Sequence, residues 1–258
     1  MPPDTIKCIN SWKNKMPEYE LVLWDKNRFD ITSVPFVKEA YQVKQWAAAA
    51  DYIRIYALYT EGGIYMDTDV YVLKKFDDLL QNCFFTSLEY HADKAKKENA
   101  NELLNEDGTK KSDGEIFTRG IGIQAAVLGS VNGHPFLKSC LDWFKDKHFI
   151  LPDGTYSNRT IIAPAIYADI AVKYGFRYKD ELQKLKDDMT IYPSFVFAGD
   201  LNEANDDSYA IHFHKGSWHD KKKMLFFARV KEKLSKNNFL RRLLGKKEIK
   251  LHIDLGIE

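Results

Sequence analysis

The 258-residue chain is short of cysteine: Cys8, Cys83 and Cys140 stand far apart and are odd in number. A disulfide framework or a cysteine-built zinc cluster needs more thiols at closer spacing, so both are excluded, and a reducing compartment is expected. No apolar run approaches the roughly 20 residues of a membrane-spanning helix. The start shows no basic segment followed by an apolar one, so no secretory signal is expected. Asn158-Arg159-Thr160 fits a glycosylation sequon, but without such a signal it carries no weight. Net charge is only +1, so the chain as a whole has no bulk field for polyanions. What is abundant is core-forming material, with 45% hydrophobic and 14% aromatic residues, enough for one large domain or two small ones.

The small net charge hides an asymmetry. Residues 221–250 carry twelve Lys and Arg against two Glu, a net of +10, which leaves about −9 on the remainder. Lys221-Lys222-Lys223-Met224-Leu225-Phe226-Phe227 and Phe239-Leu240-Arg241-Arg242-Leu243-Leu244 mix cationic and apolar residues. That composition suits an interfacial helix on anionic lipid, or equally a solvated terminal helix with one apolar face on the domain. No nucleic-acid recognition motif accompanies it. The expected division is a catalytic domain over 1–220 and a basic amphipathic helical segment over 221–258.

Helical and strand patterns alternate along the chain, which predicts an α/β sandwich with a mixed sheet. A short helix is expected over residues 5–18 and a strand over Tyr19–Asp25. One long helix is expected from Phe36 to about Thr60, stopped by Gly62-Gly63. A strand carrying Asp67 and Asp69 follows. Further strands are expected at Cys83–Leu88, Tyr192–Phe197 and Tyr209–Phe213, with helices near Pro135–Lys147 and Ala163–Tyr174. Residues 92–114, with eleven charges and two Asp-Gly pairs, are expected to form an exposed, mobile insertion or hairpin.

The stretch Gly63-Ile64-Tyr65-Met66-Asp67-Thr68-Asp69-Val70-Tyr71-Val72 is the chemical centre of the sequence. On a strand, residues i and i+2 share a face, so the two carboxylates are expected side by side. Two like charges in an apolar run are costly unless a cation sits between them, and oxygen ligands select Mg²⁺ or Mn²⁺. A metal there can neutralise a diphosphate leaving group, which points to transfer from a nucleotide sugar. The plain alternative is a chance Asp-x-Asp at the end of an edge strand. Asp51 and Arg54, at i and i+3 on the preceding helix, share a face; they either reach the same site or form an ordinary surface ion pair. In His212-Phe213-His214-Lys215-Gly216-Ser217-Trp218, two histidines alternate on an extended segment. One of them could complete a metal site with Asp67 and Asp69, and Ser217 with Trp218 could cover a phosphate or base.

Together, Ala50-Asp51-Tyr52-Ile53-Arg54 and Gly62 to Val70 resemble the signature of glycosyltransferases that carry a sugar-binding DXD motif. That group includes bacterial capsule and lipopolysaccharide enzymes and fungal mannosyltransferases, and is similar to the catalytic core of large glucosylating toxins. The resemblance runs from about Cys8 to Trp218. It implies a GT-A-like (Rossmann-like) mixed sheet, a nucleotide-sugar donor with uridine preferred, Mn²⁺ or Mg²⁺, and retention of anomeric configuration. Its implied metal ligands are Asp67, Asp69 and His212, with His214 as the alternative. Asp51, Arg54, Gly63, Asp67, Thr118, Ser217 and Trp218 would hold the donor, and the catalytic set would be Asp51, Arg54, Asp67 and Asp69. A glycan or lipid-linked oligosaccharide acceptor in surface polysaccharide synthesis would place the protein in the cytoplasm, on the inner face of the membrane. Members of the group begin with a further strand, reading like Ile-Pro-Lys-Ile-Ile-His, that helps hold the base; this chain starts after it, so Met1 is expected to be internal and a central strand absent. Two rivals remain: a transferase-derived binding protein without turnover, and a haloacid-dehalogenase-like phosphatase. The latter wants a small residue where Tyr71 stands and its glycines after the strand.

Overall fold

The structure, a computed structural model, describes residues 2–25, 27–112, 114–157 and 161–213. It is a mixed α/β fold. The principal sheet has six strands: β1 (Gly63–Met66), β3 (Phe84–Tyr90), β4 (Ile121–Ile123), β5 (Val127–Ser130), β6 (Gln183–Leu185) and β7 (Met189–Tyr192). Their order is β1-β5-β3-β7-β6, with β4 also on β3. β1, β3 and β7 run one way, since β5 is antiparallel to both β1 and β3 while β3 and β7 are parallel. A second sheet, β2-β9-β8, is made of β2 (Val70–Val72), β8 (Phe197–Ala198) and β9 (Ala210–His212). Helices α2 (Pro35–Gln42), α3 (Trp46–Glu61), α5 (Pro135–Phe144) and α6 (Ala163–Ala171) pack with the principal sheet around one core that includes Ile55, Leu58, Leu88, Phe136 and Tyr167. A second core lies between the sheets and under α1 (Pro3–Lys15), built from Trp12, Val70, Phe85, Val127 and Phe197.

The single long helix expected from Phe36 is two helices. The N–H of Gln45 donates to Ala40 O at 2.8 Å and that of Lys44 to Tyr41 O at 3.1 Å, a Schellman closure of α2. Lys44 holds the left-handed position at φ 58°, where glycine is usual. Gly62 then ends α3 at φ 72°, and a Cβ there would lie 2.9 Å from the backbone N of Asn132, so the glycine lets the helix pass close to the end of β5.

Three other expectations change. Tyr19–Asp25 is not a strand: Leu23 is 76% exposed, and Trp24 packs edge-on to Tyr56 instead of joining a sheet. The charged stretch 92–114 is anchored, not loose. It forms α4 (Ala92–Lys97) and a 3₁₀ turn, Ala100–Leu103, and buries Ala95, Ala100 and Leu104 in the core beside a Leu104–Lys110 bridge. The strand expected at Tyr192–Phe197 is split by Pro193, which cannot continue a ladder. β7 ends before it, a 3₁₀ turn (Ser194–Val196) carries the chain across, and β8 joins the other sheet. The segment 221–258, the sequon at 158–160, and His214, Ser217 and Trp218 lie outside the described residues.

β2 is an edge strand directly after the two aspartates, and α1 covers its open side. Trp12 Nε1 donates to Val70 O at 2.7 Å, and Val72 N donates to Ser11 Oγ at 2.8 Å. These side chains satisfy backbone groups that another strand would otherwise take. Trp12→Phe keeps the packing and deletes the first bond, so urea denaturation should show a loss of about 1 kcal/mol. Lys44→Gly should raise the urea midpoint, by about 1 kcal/mol in stability, because it relieves the left-handed strain; an unchanged or lower midpoint would contradict this account of the helix break.

Candidate metal and sugar-binding site

Asp67 and Asp69 do not lie on a strand. β1 stops at Met66, and Val70 N donates to Asp67 O at 3.0 Å, so Asp67-Thr68-Asp69 is the tight turn by which the chain leaves one sheet and enters the other. The two carboxylates converge through this turn, not through strand alternation. Register then brings in His212: β9 lies antiparallel to β2 with Val70 opposite His212, and Phe213 N donates to Asp69 O at 3.2 Å. His212 Nε2 is 3.3 Å from Asp69 Oδ1 and 3.9 Å from Asp67 Oδ2. Ligand atoms from Asp67, Asp69 and His212 all fall within 4.8 Å of one another. Two carboxylates and one imidazole on half-buried backbone form a donor set that fits Mn²⁺ or Mg²⁺.

Behind the turn stands Arg54, only 5% exposed. Its Nη2 lies 3.0 Å from Asp51 Oδ1 and 3.7 Å from Asp67 Oδ1, its Nη1 donates to Ala125 O at 2.7 Å, and its Nε to Ala50 O at 3.2 Å. The guanidinium also sits 4.9 Å from the centre of the Tyr65 ring, whose hydroxyl donates to Asp67 Oδ1 at 2.6 Å. Tyr167 closes the other side by donating to Asp51 O at 2.8 Å. Asp51 and Arg54 are therefore parts of the site wall, not a surface ion pair. Loss of hydration pushes the Asp51 carboxyl up to about 6; Arg54 opposes that rise, while Asp67 and Glu89 add to it. Burial likewise holds the Tyr65 hydroxyl well above its ordinary value, so it acts as a neutral donor.

A feature that sequence reasoning missed completes the wall. β4 and β5 flank β3 as one interrupted strand, broken at Gln124-Ala125-Ala126. The break turns two carbonyls towards the site: Ala125 O takes Arg54, and Ala126 O takes the N–H of Asp67 at 2.8 Å. Thr86 Oγ1 fills the gap in the ladder by donating to Val127 O at 2.7 Å. Gln124, 1% exposed, donates from Nε2 to Phe197 O, while its Oε1 has no hydrogen-bond partner among the described residues. The sequence signal was weak: two alanines and a glutamine inside an apolar run.

Two expected donor contacts are not brought to this cluster. Gly63 opens β1, four residues before Asp67 and about 13 Å away along the strand, where its work is with the helix stop. Thr118 lies in the loop leading into β4, and no hydrogen bond or ion pair joins it to Asp67, Asp69 or Arg54 among the described residues. Arg54→Ala should cost about 3 kcal/mol in urea denaturation, because it strands Asp51 and Asp67 around a partly dry pocket. Arg54→Lys should recover only part of this loss, since one ammonium cannot serve Ala125 O and both carboxylates as the fork does.

Comparison with known proteins agrees with this arrangement. Residues 2–85 match the model of the glycosyltransferase sugar-binding region containing the DXD motif. The chain is 23% identical over 268 aligned positions to an initiation-specific alpha-1,6-mannosyltransferase of Candida albicans, spanning 85% of this chain and 68% of that protein. A shorter stretch of 49 residues is 47% identical to glucan organizing enzyme 1 of Cryptococcus neoformans, covering 19% of this chain and 13% of that protein. Residues 2–85 thus resemble a glycosyltransferase sugar-binding region of the DXD type, and the two matches together support a glycosyltransferase enzyme.

Proposed function

We propose that the chain transfers a hexose from a nucleotide-sugar donor to a glycan acceptor, with a divalent cation held by Asp67, Asp69 and His212. The observation that carries this reading is the position of Arg54, which touches both Asp67 of the acidic turn and Asp51 beside it. One cationic fork thereby links a metal-ligating donor set to a carboxylate suited to sugar hydroxyls. When bound, a divalent cation supplies charge neutralisation for the departing diphosphate. Around it, Arg54 offers fixed donors, Asp51 accepts from hydroxyls, and Tyr65 keeps Asp67 oriented. Held geometry of this kind lowers the entropic part of the barrier.

The similarity to an alpha-1,6-mannosyltransferase is the reason to test a mannose donor such as GDP-mannose beside the uridine sugars. A lipid-linked acceptor at the cytoplasmic membrane face is part of the same reading, through the basic composition of residues 221–250. The match to the DXD sugar-binding region supports a transferase over a haloacid-dehalogenase-like phosphatase.

The test is a thermal-shift panel of UDP, GDP and their common sugars, with Mn²⁺ and with chelator. A melting point raised by one nucleotide only in the presence of Mn²⁺ is expected, because ligands of the folded state stabilise it by mass action. Asp69→Asn should cut transfer by about 100-fold or more without lowering the melting point of the metal-free protein. Transfer that persists at full rate in chelator would overturn the scheme.

A further inference from the structure

Helix α3 carries a second set of side chains besides Asp51 and Arg54. Tyr52, Tyr56 and Tyr59 recur at i, i+4 and i+7, so they form one stripe on a different side of the helix from the ion pair. With Leu141 of α5 they line a cavity of about 280 Å³, near the lower end of small-ligand pockets. Lys138, Asp142 and Lys145, all exposed, add charge to its lining. No residue of the acidic turn reaches it.

The tyrosine rings are held from behind. Tyr52 packs on Phe29 and Phe144, and Tyr56 on Phe29 and Trp24. Tyr52 and Tyr56 lie nearly parallel, at 20° and 6.4 Å between ring centres. Their polar ends are uncommitted: the hydroxyls of Tyr52, Tyr56 and Tyr59 make no hydrogen bond among the described residues, and the Lys145 ammonium has no partner there either. Asp142 is paired with Lys138 beside them. A plain helix–helix contact needs no phenols, since leucine packs without polar atoms.

The chemistry of the cavity is thus apolar ring faces, phenol and ammonium donors, and one carboxylate acceptor. A bare anion has no use for the rings, and an apolar ligand has none for the donors. A pyranose answers to all three, with C–H groups on its faces, ring and hydroxyl oxygens that accept, and hydroxyl hydrogens that donate. We infer that this cavity is a second carbohydrate site, which takes sugar units of a neutral glycan chain. The binding stands apart from the transferase reading above. On that reading its role is to anchor the acceptor: the body of α3, roughly 10 Å across, separates it from Asp51, and tethering the chain there raises the local concentration of its reacting end.

The test is native gel electrophoresis of the full chain through soluble α-mannan or β-glucan, with chelator and without nucleotide. At least one glycan should retard wild type. Tyr59→Ala and Lys145→Ala change half-buried and exposed positions of the lining, and each should weaken that retardation about fivefold. Thermal melts check that both fold, and Asp69→Asn should be retarded as wild type is. No retardation of wild type, or retardation unchanged in both variants, overturns the inference. A dimer in sedimentation that Tyr59→Ala dissociates overturns it too, because a second copy would then fill the cavity. For the anchoring role, Lys145→Ala should raise KM for a glycan polymer more than for a disaccharide acceptor; an equal change for both refutes that role. If no nucleoside diphosphate binds with Mn²⁺, the transferase reading falls while retardation by the glycan persists.

Discussion

The site is organised around the Arg54 guanidinium. It is buried, always charged, and committed in four directions: to its own helix at Ala50, to the broken strand at Ala125, and to the carboxylates of Asp51 and Asp67. A buried cation is tolerable only with such company, because the attraction must offset its lost hydration. The same contacts fix α3 against the end of the sheet and hold the acidic turn at its distance from that helix. The fold thus places a helix, a strand break and a turn by satisfying one charge, and the candidate ligands follow from where those three elements end.

The second organising fact is that the turn belongs to two sheets. β1 and β2 are consecutive in sequence but pair in different directions, β1 with β5 and β2 with β9. Asp67 is tied to the first sheet by its N–H to Ala126 O, and Asp69 to the second by Phe213 N to its carbonyl. His212 arrives from a strand far along the chain, 143 residues after Asp69, and the Val70–His212 register puts its ring beside Asp69. Any slip of β9 by one residue would turn that ring to the opposite face. The small sheet is therefore a register device for the imidazole, and α1 protects it by occupying the free edge of β2.

This division explains what could be read from the sequence. Local patterns were legible: the i, i+3 relation of Asp51 and Arg54, the glycine stop of α3, the acidic pair after an apolar run, and the alternation of strands and helices. What failed depended on partners far away in the chain. Asp67 and Asp69 read as strand because their neighbours are β-branched and aromatic, yet the change of sheet makes them a turn. Lys44 carries no glycine to announce a helix end, and the Schellman bonds of Lys44 and Gln45 supply it instead.

Charge balance ties these observations together. Asp51, Asp67 and Asp69 gather around the acidic turn, against the Arg54 guanidinium and the imidazole of His212. The rise of the Asp51 carboxyl to about 6 is the local expression of that imbalance, since burial and its acidic neighbours outweigh Arg54. Such a surplus of half-buried negative charge costs stability in isolation. It becomes favourable when a divalent cation occupies the turn and hydroxyl groups donate to the outer carboxylates, so the features that burden the fold are those that a metal and a sugar would relieve.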